Sequence, residues 1–329
     1  MEMSIEDMKG LCSENCTVLD AVIKADSIIN REENKNIWIS VSGGSDSDIM
    51  LDFIWRICED KSKLHYVWFD TGLEYQATKD HINDLENKYG IEIERRKAVK
   101  PIPLSCREYG EPFLSKFVSK QISVLQKVGF KWEDKSYEEL TKEYNNCDSA
   151  LKWWCNTYAK KRFQINQNRY LKEFMVENPP IFKISSECCD YAKKKVSEGI
   201  EYDIMCIGVR KAEGGVRAEA YKSCFDEKDG KYRPLFWWKD EDKEWYKNKF
   251  GIEYSRCYTE YGFKRTGCVC CPYGKDLQKE LKVTEKYEPR LYGAVCNVFK
   301  NSYEYTKAYW HYYNHKKFEF FMERGKKRE

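Results

Sequence analysis

Histidine is scarce in this chain, with four residues among 329. This scarcity leaves few candidates for general-base catalysis and argues against a histidine-rich metal site. No apolar run approaches the ~18 residues that a membrane helix needs. The acidic and polar start of the chain lacks the cationic and apolar segments of a signal peptide. We therefore expect a cytoplasmic protein that makes no membrane contact.

The chain also has little excess charge, because 57 basic residues nearly balance 54 acidic ones and leave a net charge of +3. This balance predicts no strong electrostatic preference for nucleic acid or membrane. Two short basic runs near the C-terminus, at residues 316–317 and 326–328, are interpreted as a solvated terminus. Nucleic-acid contact at these runs is the open alternative.

Strand and helix patterns alternate along the first half of the chain. Strands are predicted at residues 37–41, 64–69, 91–94 and 202–208, and helices at 16–32, 49–57 and 75–89. This alternation predicts an α/β fold with a doubly wound, mostly parallel sheet, in which ligands bind beyond the carboxyl ends of the strands.

The rest of the chain is organised differently. Residues 112–175 look mainly helical, 226–233 look like a surface loop or hairpin, and 287–322 look helical and aromatic. Residues 234–275 contain few regular patterns but many tryptophans, tyrosines and cysteines. We predict a nucleotide-binding domain at 1–225 with a helical insertion at about 112–178. A cysteine-rich and aromatic C-terminal region at 226–329 is expected to complete a metal site.

A serine- and glycine-rich loop joins the first predicted strand to its helix. It consists of Ser42, Gly43, Gly44, Ser45, Asp46 and Ser47. Adjacent glycines let successive amides point into one concavity, and the following helix adds free N-terminal amides and a positive dipole end. Asp46 suits a Mg²⁺ ion or a helix cap. The loop lacks the Gly-Lys-Ser/Thr ending of a Walker A motif. A phosphate site is predicted, and a simple glycine turn with a helix cap is the alternative.

A second charged segment follows the strand predicted at 202–208. Arg210 and Arg217 are candidates to hold phosphate or sulfate oxygens, and Glu213 is a candidate to orient one of them. A solvated charged loop is the alternative interpretation.

Fifteen cysteines in a chain without a secretion signal argue against a disulfide framework and favour metal or redox chemistry. Cys188 and Cys189 are adjacent, and Cys268 and Cys271 form a Cys-x-x-Cys pair that can reach one metal from a tight turn. Four thiolates suit an iron–sulfur cluster or a zinc ion. Buried free cysteines are the alternative, and we assign that role to Cys106 and the nine other cysteines outside residues 188–189 and 268–271. Cys270 is left open, either as a substitute ligand or as an unligated thiol.

These motifs together resemble a known family. The loop at 42–47 is similar to the Ser-x-Gly-Gly-x-Asp-Ser signature of PP-loop nucleotide enzymes, shortened by one spacer. Within that class, residues from about 37 to 274 resemble the phosphoadenosine phosphosulfate reductase family. The resemblance implies a PP-loop, Rossmann-like fold that binds ATP or a sulfated adenine nucleotide with Mg²⁺. It also implies a 4Fe–4S cluster on Cys188, Cys189, Cys268 and Cys271, with Zn²⁺ as the alternative. Further nucleotide-binding residues implied by the resemblance are Asp70, Thr71, Gly72 and Lys116.

One expected segment of the family's reductases is absent from this chain. Their C-terminal Glu-Cys-Gly-x-His segment supplies an attacking thiolate, whereas the last cysteine here is Cys296 and no Gly-x-His follows it. We therefore favour activation of ATP, with Asp46, Arg210 and Arg217 as catalytic residues and AMP and pyrophosphate as products. Sulfur from a donor protein would then reach an unidentified acceptor, for which nucleic acid is an open candidate. The alternatives are sulfonucleotide reduction with a thiol from Cys296 or a partner, and a non-catalytic nucleotide-responsive protein with a structural metal.

Overall fold

The computed structural model describes residues 3–159, 162–214 and 221–326, and side chains up to residue 318. The strands are β1 (Ile37–Ser40), β2 (Leu64–Asp70), β3 (Ile93–Lys97), β4 (Ile204–Ile207), β5 (Phe225–Asp226) and β6 (Lys231–Tyr232). The helices are α1 (Ile5–Cys12), α2 (Cys16–Ile29), α3 (Ser45–Ile57), α4 (Gln76–Tyr89), α5 (Ile102–Tyr109), α6 (Lys116–Lys127), α7 (Tyr137–Glu143), α8 (Asp148–Trp154), α9 (Leu171–Glu177), α10 (Glu187–Cys189), α11 (Lys195–Ser197), α12 (Asp240–Phe250), α13 (Arg256–Thr259), α14 (Leu277–Tyr287), α15 (Pro289–Val298) and α16 (Lys300–Lys326). Within the described residues, no helix is both long and apolar enough to span a bilayer.

The six strands form one sheet in the order β3-β2-β1-β4-β6-β5. All neighbouring strands are parallel except β5, which pairs with β6 in the antiparallel sense. The chain runs outward from β1 through β2 to β3 and then returns to place β4 on the other side of β1. The strand order therefore reverses between β1 and β4, which is where a doubly wound sheet binds its ligand. The predicted α/β fold with a mostly parallel sheet is confirmed.

Contacts group the chain into two compact units, Met1–Ala98 with Lys195–Cys268, and Val99–Lys194 with Val269–Glu329. The first unit contains the whole sheet. Ile37 and Ile39 of β1 and Tyr66 of β2 point into its main apolar core, which α2, α3 and α4 cover. This arrangement follows from the alternation of side chains along a strand. The predicted domain boundary at residue 225 remains a prediction.

The second unit is helical and has its own aromatic core. Trp153 and Trp154 of α8 are fully buried there, together with Phe113 and Phe174. Tyr309 of the long C-terminal helix α16 lies against Phe113 and Phe174, with ring centroids 6.5 and 5.5 Å away. Aromatic side chains bury large areas, so this helix contributes substantially to the core of the unit.

Candidate functional site

The loop after β1 has the backbone that an anion site requires. Gly43 has a φ of +65°, and a side chain there would place its Cβ 3.0 Å from Thr78 Cγ2. Gly44 is the N-cap of α3 and provides no capping side chain. The loop therefore ends at a helix N-terminus whose amides and dipole favour an anion. It lies at the carboxyl end of β1, next to the point where the strand order reverses.

Hydrogen bonds within the first unit fix the loop. The Ser42 amide donates to Ser47 Oγ (3.0 Å), and the Ser45 amide donates to the hydroxyl of Tyr258 (3.1 Å). The Tyr258 hydroxyl also lies 3.1 Å from Thr266 Oγ1. Two of the predicted loop serines thus hold the loop through their amides, and Tyr258 is a contributor that the sequence interpretation did not identify.

Two cations meet the carboxylate of Asp46. Arg210 Nε lies 3.0 Å from Asp46 Oδ1, a charge contact without hydrogen-bond alignment, and Lys243 Nζ lies 2.7 Å from the same oxygen. Lys243 also donates to Ser45 Oγ (2.6 Å), and Arg210 Nη2 lies 2.9 Å from Asp240 Oδ1. Burial acts to lower the pKa of Arg210, but Asp46 and Asp240 outweigh this effect and raise it. The loop is therefore flanked by two basic side chains.

Lys243 and Asp240 were not among the predicted site residues. Both lie on α12, within residues 234–275, where the sequence has few regular patterns. The available signal was the run of acidic residues at the first turn of this helix, which is typical of a helix N-terminus. The contact between Lys243 and the loop joins residues 198 positions apart, which local patterns do not reveal.

A buried pair of an acidic and a basic side chain, Asp48 and His81, lies next to the loop. His81 Nε2 of α4 is 2.9 Å from Asp48 Oδ2 of α3, and Ser47 Oγ is 3.5 Å from the other oxygen of Asp48. Asp48 is fully buried, and this burial raises the pKa of its carboxyl group. Burial acts to lower the pKa of His81, but the hydrogen bond and charge of Asp48 raise it overall. This pair links the core to the predicted phosphate loop, residues 42–47.

Other charged residues also shift the pKa values of Asp48 and His81. Lys243 acts on Asp48, and it lowers the pKa of that carboxyl against the effect of burial. Asp84 raises the pKa of His81, and Lys88 lowers it. The protonation of the pair is therefore coupled to the same lysine that contacts the loop.

The predicted residues at the end of β2 form a local turn. The Gly72 amide donates to Asp70 Oδ1 (2.9 Å), and Gly72 has a φ of +78°. Thr71 Oγ1 donates to Glu74 Oε1 (2.6 Å). Since β2 is the parallel neighbour of β1, this turn lies at the same sheet edge as the phosphate loop.

The predicted arginine segment follows β4 at that edge. Glu213 accepts a hydrogen bond from the Arg210 amide (3.2 Å), and its other oxygen lies 3.1 Å from Arg265 Nη2. Glu213 therefore contacts the backbone of Arg210, while its side chain pairs with Arg265. Arg217 lies outside the described residues.

Lys116 and three of the predicted metal ligands belong to the second unit. Lys116 Nζ lies 3.0 Å from Asp190 Oδ1. Cys188 is buried, and hydrogen bonding to Cys106 is the main influence that raises its pKa, with Cys271 adding to the shift. A hydrogen bond to Cys188 likewise raises the pKa of Cys189. The structure thus brings Cys106, interpreted as a free buried cysteine, next to the vicinal pair.

The other two cysteines of the Cys-x-x-Cys segment, Cys268 and Cys270, belong to different units. Cys268 is the last residue of the first unit. Cys270 is buried with a φ of +46°, and its sulfur lies 3.2 Å from Thr284 Oγ1. No group of three or more histidine, cysteine or acidic side chains has a metal-holding arrangement in the described part of the chain. The predicted ligand set of Cys188, Cys189, Cys268 and Cys271 remains a prediction.

Comparison with known families and curated proteins gives one family match and two relatives. The family model of the phosphoadenosine phosphosulfate reductase domain matches residues 36–273. Two uncharacterized proteins of Methanocaldococcus jannaschii, MJ0066 and MJ0973, are each 24% identical to this chain, over 271 and 273 residues. The matches cover 81% and 82% of this chain but 42% and 49% of those proteins. The chain therefore spans less than half the length of these curated relatives.

The solved structures to which this chain is similar include two distant likenesses. One is a phosphoadenylyl-sulfate reductase from Candida auris in complex with phosphate, with 16% identity and a TM-score of 0.34, covering 82% of this chain and 97% of that one. The other is the U34-tRNA thiolase NcsA from Methanococcus maripaludis with its 4Fe–4S cluster. It has 14% identity and a TM-score of 0.33, and the match covers 91% of this chain and 80% of that one.

Proposed function

Because the chain belongs to the phosphoadenosine phosphosulfate reductase domain family, we propose that it is a PP-loop enzyme that activates an acceptor with ATP. The observation that supports this proposal is the glycine loop at a helix N-terminus, flanked by Arg210 and Lys243. Amides in such a loop, together with two cations, neutralise phosphate oxygens in place of water. The β- and γ-phosphates would lie in the loop, with the α-phosphate toward Arg210.

In the proposed reaction an acceptor oxygen attacks the α-phosphorus of ATP. The new oxygen–phosphorus bond forms as the bond from the α-phosphorus to the bridging oxygen breaks, and pyrophosphate leaves with the electron pair. Hydrosulfide supplied by a donor protein then attacks the acceptor atom that carries the activated oxygen. The new bond to sulfur forms as the bond to that oxygen breaks, and AMP leaves with the electron pair. The side chains of the chain act by positioning and by charge neutralisation.

Mg²⁺ fits the charge balance of this site. Arg210 and Lys243 are balanced by Asp46 and Asp240, so the cluster has no surplus positive charge for a triphosphate. Asp46 would hold the ion, because carboxylate oxygens are ligands that Mg²⁺ prefers. A bound ion would supply charge neutralisation on the phosphate oxygens.

The test is to incubate anaerobically purified protein with ATP and Mg²⁺ and to identify the nucleotide products. We expect AMP and pyrophosphate, and we expect their formation to be lost in Asp46→Ala. Glu244→Gln, on the same helix as Lys243, is the matched control and should keep full turnover. Unchanged turnover in Asp46→Ala would remove Asp46 from the mechanism. Thioredoxin-dependent release of sulfite would instead identify a sulfonucleotide reductase, and nucleotide binding without product would identify a binding protein.

We further propose that Cys188, Cys189, Cys268 and Cys271 hold a 4Fe–4S cluster that takes part in sulfur delivery, with Zn²⁺ as the alternative metal. The donor chemistry supports a thiolate-bound metal, because the four cysteines form a vicinal pair and a Cys-x-x-Cys pair, and sulfur donors suit iron–sulfur clusters and zinc. The test is the iron and acid-labile sulfide content of anaerobically purified protein. A colourless preparation that contains one zinc would reject the cluster.

A further inference from the structure

A polar cavity in the first unit lies apart from the phosphate loop. It has a volume of about 610 Å³ and lies between helix α2 and the β5–β6 hairpin. Such a volume is suited to a small organic ligand. None of the loop residues 42–47 lines it.

The lining of this hairpin cavity is strongly basic. Among the described residues, five cations line it, and two carboxylates, Asp226 and Glu227, oppose them, which leaves a net charge of +3. The five cations are Lys24, Arg31, Lys222, Lys228 and Arg233. The whole chain of 329 residues has the same net charge. The lining of the cavity is therefore positively charged, whereas acidic and basic residues cancel over the rest of the chain.

Arg233 is the most unusual of these residues. Only 3% of it is exposed, and its Nε has no hydrogen-bond partner within the described ranges. Its Nη1 makes a long contact of 3.4 Å to the Ser223 carbonyl, and its guanidinium lies 3.9 Å from the ring centroid of Tyr221. Burying a guanidinium without a carboxylate partner is costly. The ring fixes the plane of the guanidinium, and an anion at its free edge would offset the cost.

We propose that the hairpin cavity binds a small phosphate ester, whose phosphate group is held by Arg233 and the neighbouring lysines. A guanidinium offers a planar pair of donors that matches phosphate oxygens, and exposed Lys222 and Lys228 add point charges at the entrance. The few apolar lining groups, among them Ile28 and Phe225, favour a polar ligand such as a sugar phosphate. This site is independent of the proposed ATP chemistry.

The experiment is calorimetric titration of the full chain with ribose 5-phosphate and, separately, with inorganic phosphate and a short single-stranded oligonucleotide. An excess of a non-hydrolysable ATP analogue is present, so that the phosphate loop is occupied. We expect ribose 5-phosphate to bind with a millimolar or lower dissociation constant, and more tightly than inorganic phosphate. Lack of ribose 5-phosphate binding, or binding of the oligonucleotide alone, would overturn the proposal.

Variants assign the binding to the cavity. Arg233→Gln should weaken ribose 5-phosphate binding by about tenfold or more, because one charge-assisted contact is lost. Since Arg233 is buried, the exposed double variant Lys222→Gln/Lys228→Gln provides a second measurement that leaves the core intact, and it should also weaken binding. Lys243→Gln, at the phosphate loop, should have no effect. If the cavity variants bound ribose 5-phosphate as tightly as the unchanged protein and Lys243→Gln lost this binding, the anion would lie at the loop. That result would reject the cavity site.

Discussion

At the scale of single residues, Lys243 is the side chain that ties the phosphate loop to helix α12. Its ammonium group contacts both Asp46 and Ser45, and its side chain is only 13% exposed. We expect this group to turn from Asp46 to the phosphates when a nucleotide binds. Removing it should therefore weaken nucleotide binding.

We predict that Lys243→Gln raises the KM for ATP by about tenfold, equivalent to about 1.4 kcal/mol, with a smaller effect on kcat. Steady-state measurement of pyrophosphate release checks this expectation. Lys247→Gln is the matched control, because Lys247 lies one turn further along α12 and pairs with Glu244. Identical KM values in the two variants would contradict a role for Lys243 in phosphate binding.

The buried pair of His81 and Asp48 predicts a pH-dependent stability. The pKa of His81 is raised in the folded protein, so the pairing of His81 with Asp48 stabilises the fold fully at a pH below about 6.5, the pKa of histidine in the unfolded chain. This stabilisation is lost as the pH rises through the pKa of His81 in the folded protein. We expect His81→Asn to lower the free energy of unfolding by about 1–3 kcal/mol at pH 6 and by less at pH 8.5.

Urea unfolding at the two pH values measures this difference. His311→Asn is the control, because His311 is exposed on α16 and its replacement should change stability little. A loss of stability in His81→Asn that is equal at both pH values would show that the pair contributes through packing alone.

At the scale of elements, the sequence was most informative where apolar residues were continuous or periodic. Strands β1, β2 and β4 and helices α2, α3 and α4 were predicted to within a few residues. The strand predicted at 91–94 lies at Ile93–Lys97 instead, because backbone pairing with β2 extends over charged residues that do not alternate. Helix α12 was not predicted, since its three aromatic residues lie among charged and polar ones and give weak periodicity.

The conformation of the phosphate loop gives a prediction at this scale. Gly43→Ala introduces a Cβ at a left-handed φ and 3.0 Å from Thr78 Cγ2, so we expect a loss of about 1–2 kcal/mol in the free energy of unfolding. Gly10→Ala is the contrasting control. Gly10 lies in α1 with open space around its Cα, and alanine there should stabilise the protein by about 0.5–1 kcal/mol. Thermal or urea unfolding should give changes in the free energy of unfolding that have opposite signs in the two variants. Changes of the same sign would contradict a strained conformation at Gly43.

At the scale of the whole molecule, the chain leaves the first unit at residue 98, returns at 195 and leaves again at 268. Local patterns place residues on strands and helices, but they do not tell which distant segments meet. The sequence allowed us to infer that the loop and Arg210 lie at the same edge of the sheet, because parallel strands end at one edge. The contacts of Lys243 with the loop and of Cys106 with Cys188 depend on packing between segments far apart in sequence.

That packing makes the role of each thiol testable. Cys106 hydrogen-bonds to Cys188, and both are buried. If Cys188 is a metal ligand and Cys106 a hydrogen-bonding neighbour, Cys188→Ser should lose most of the bound iron. Cys106→Ser should keep it, because a serine hydroxyl can also hydrogen-bond to the Cys188 sulfur. Iron and sulfide analysis of anaerobically purified variants, with circular dichroism to verify folding, separates the two roles. Equal loss of iron in both variants would make Cys106 a ligand and require revision of the predicted set.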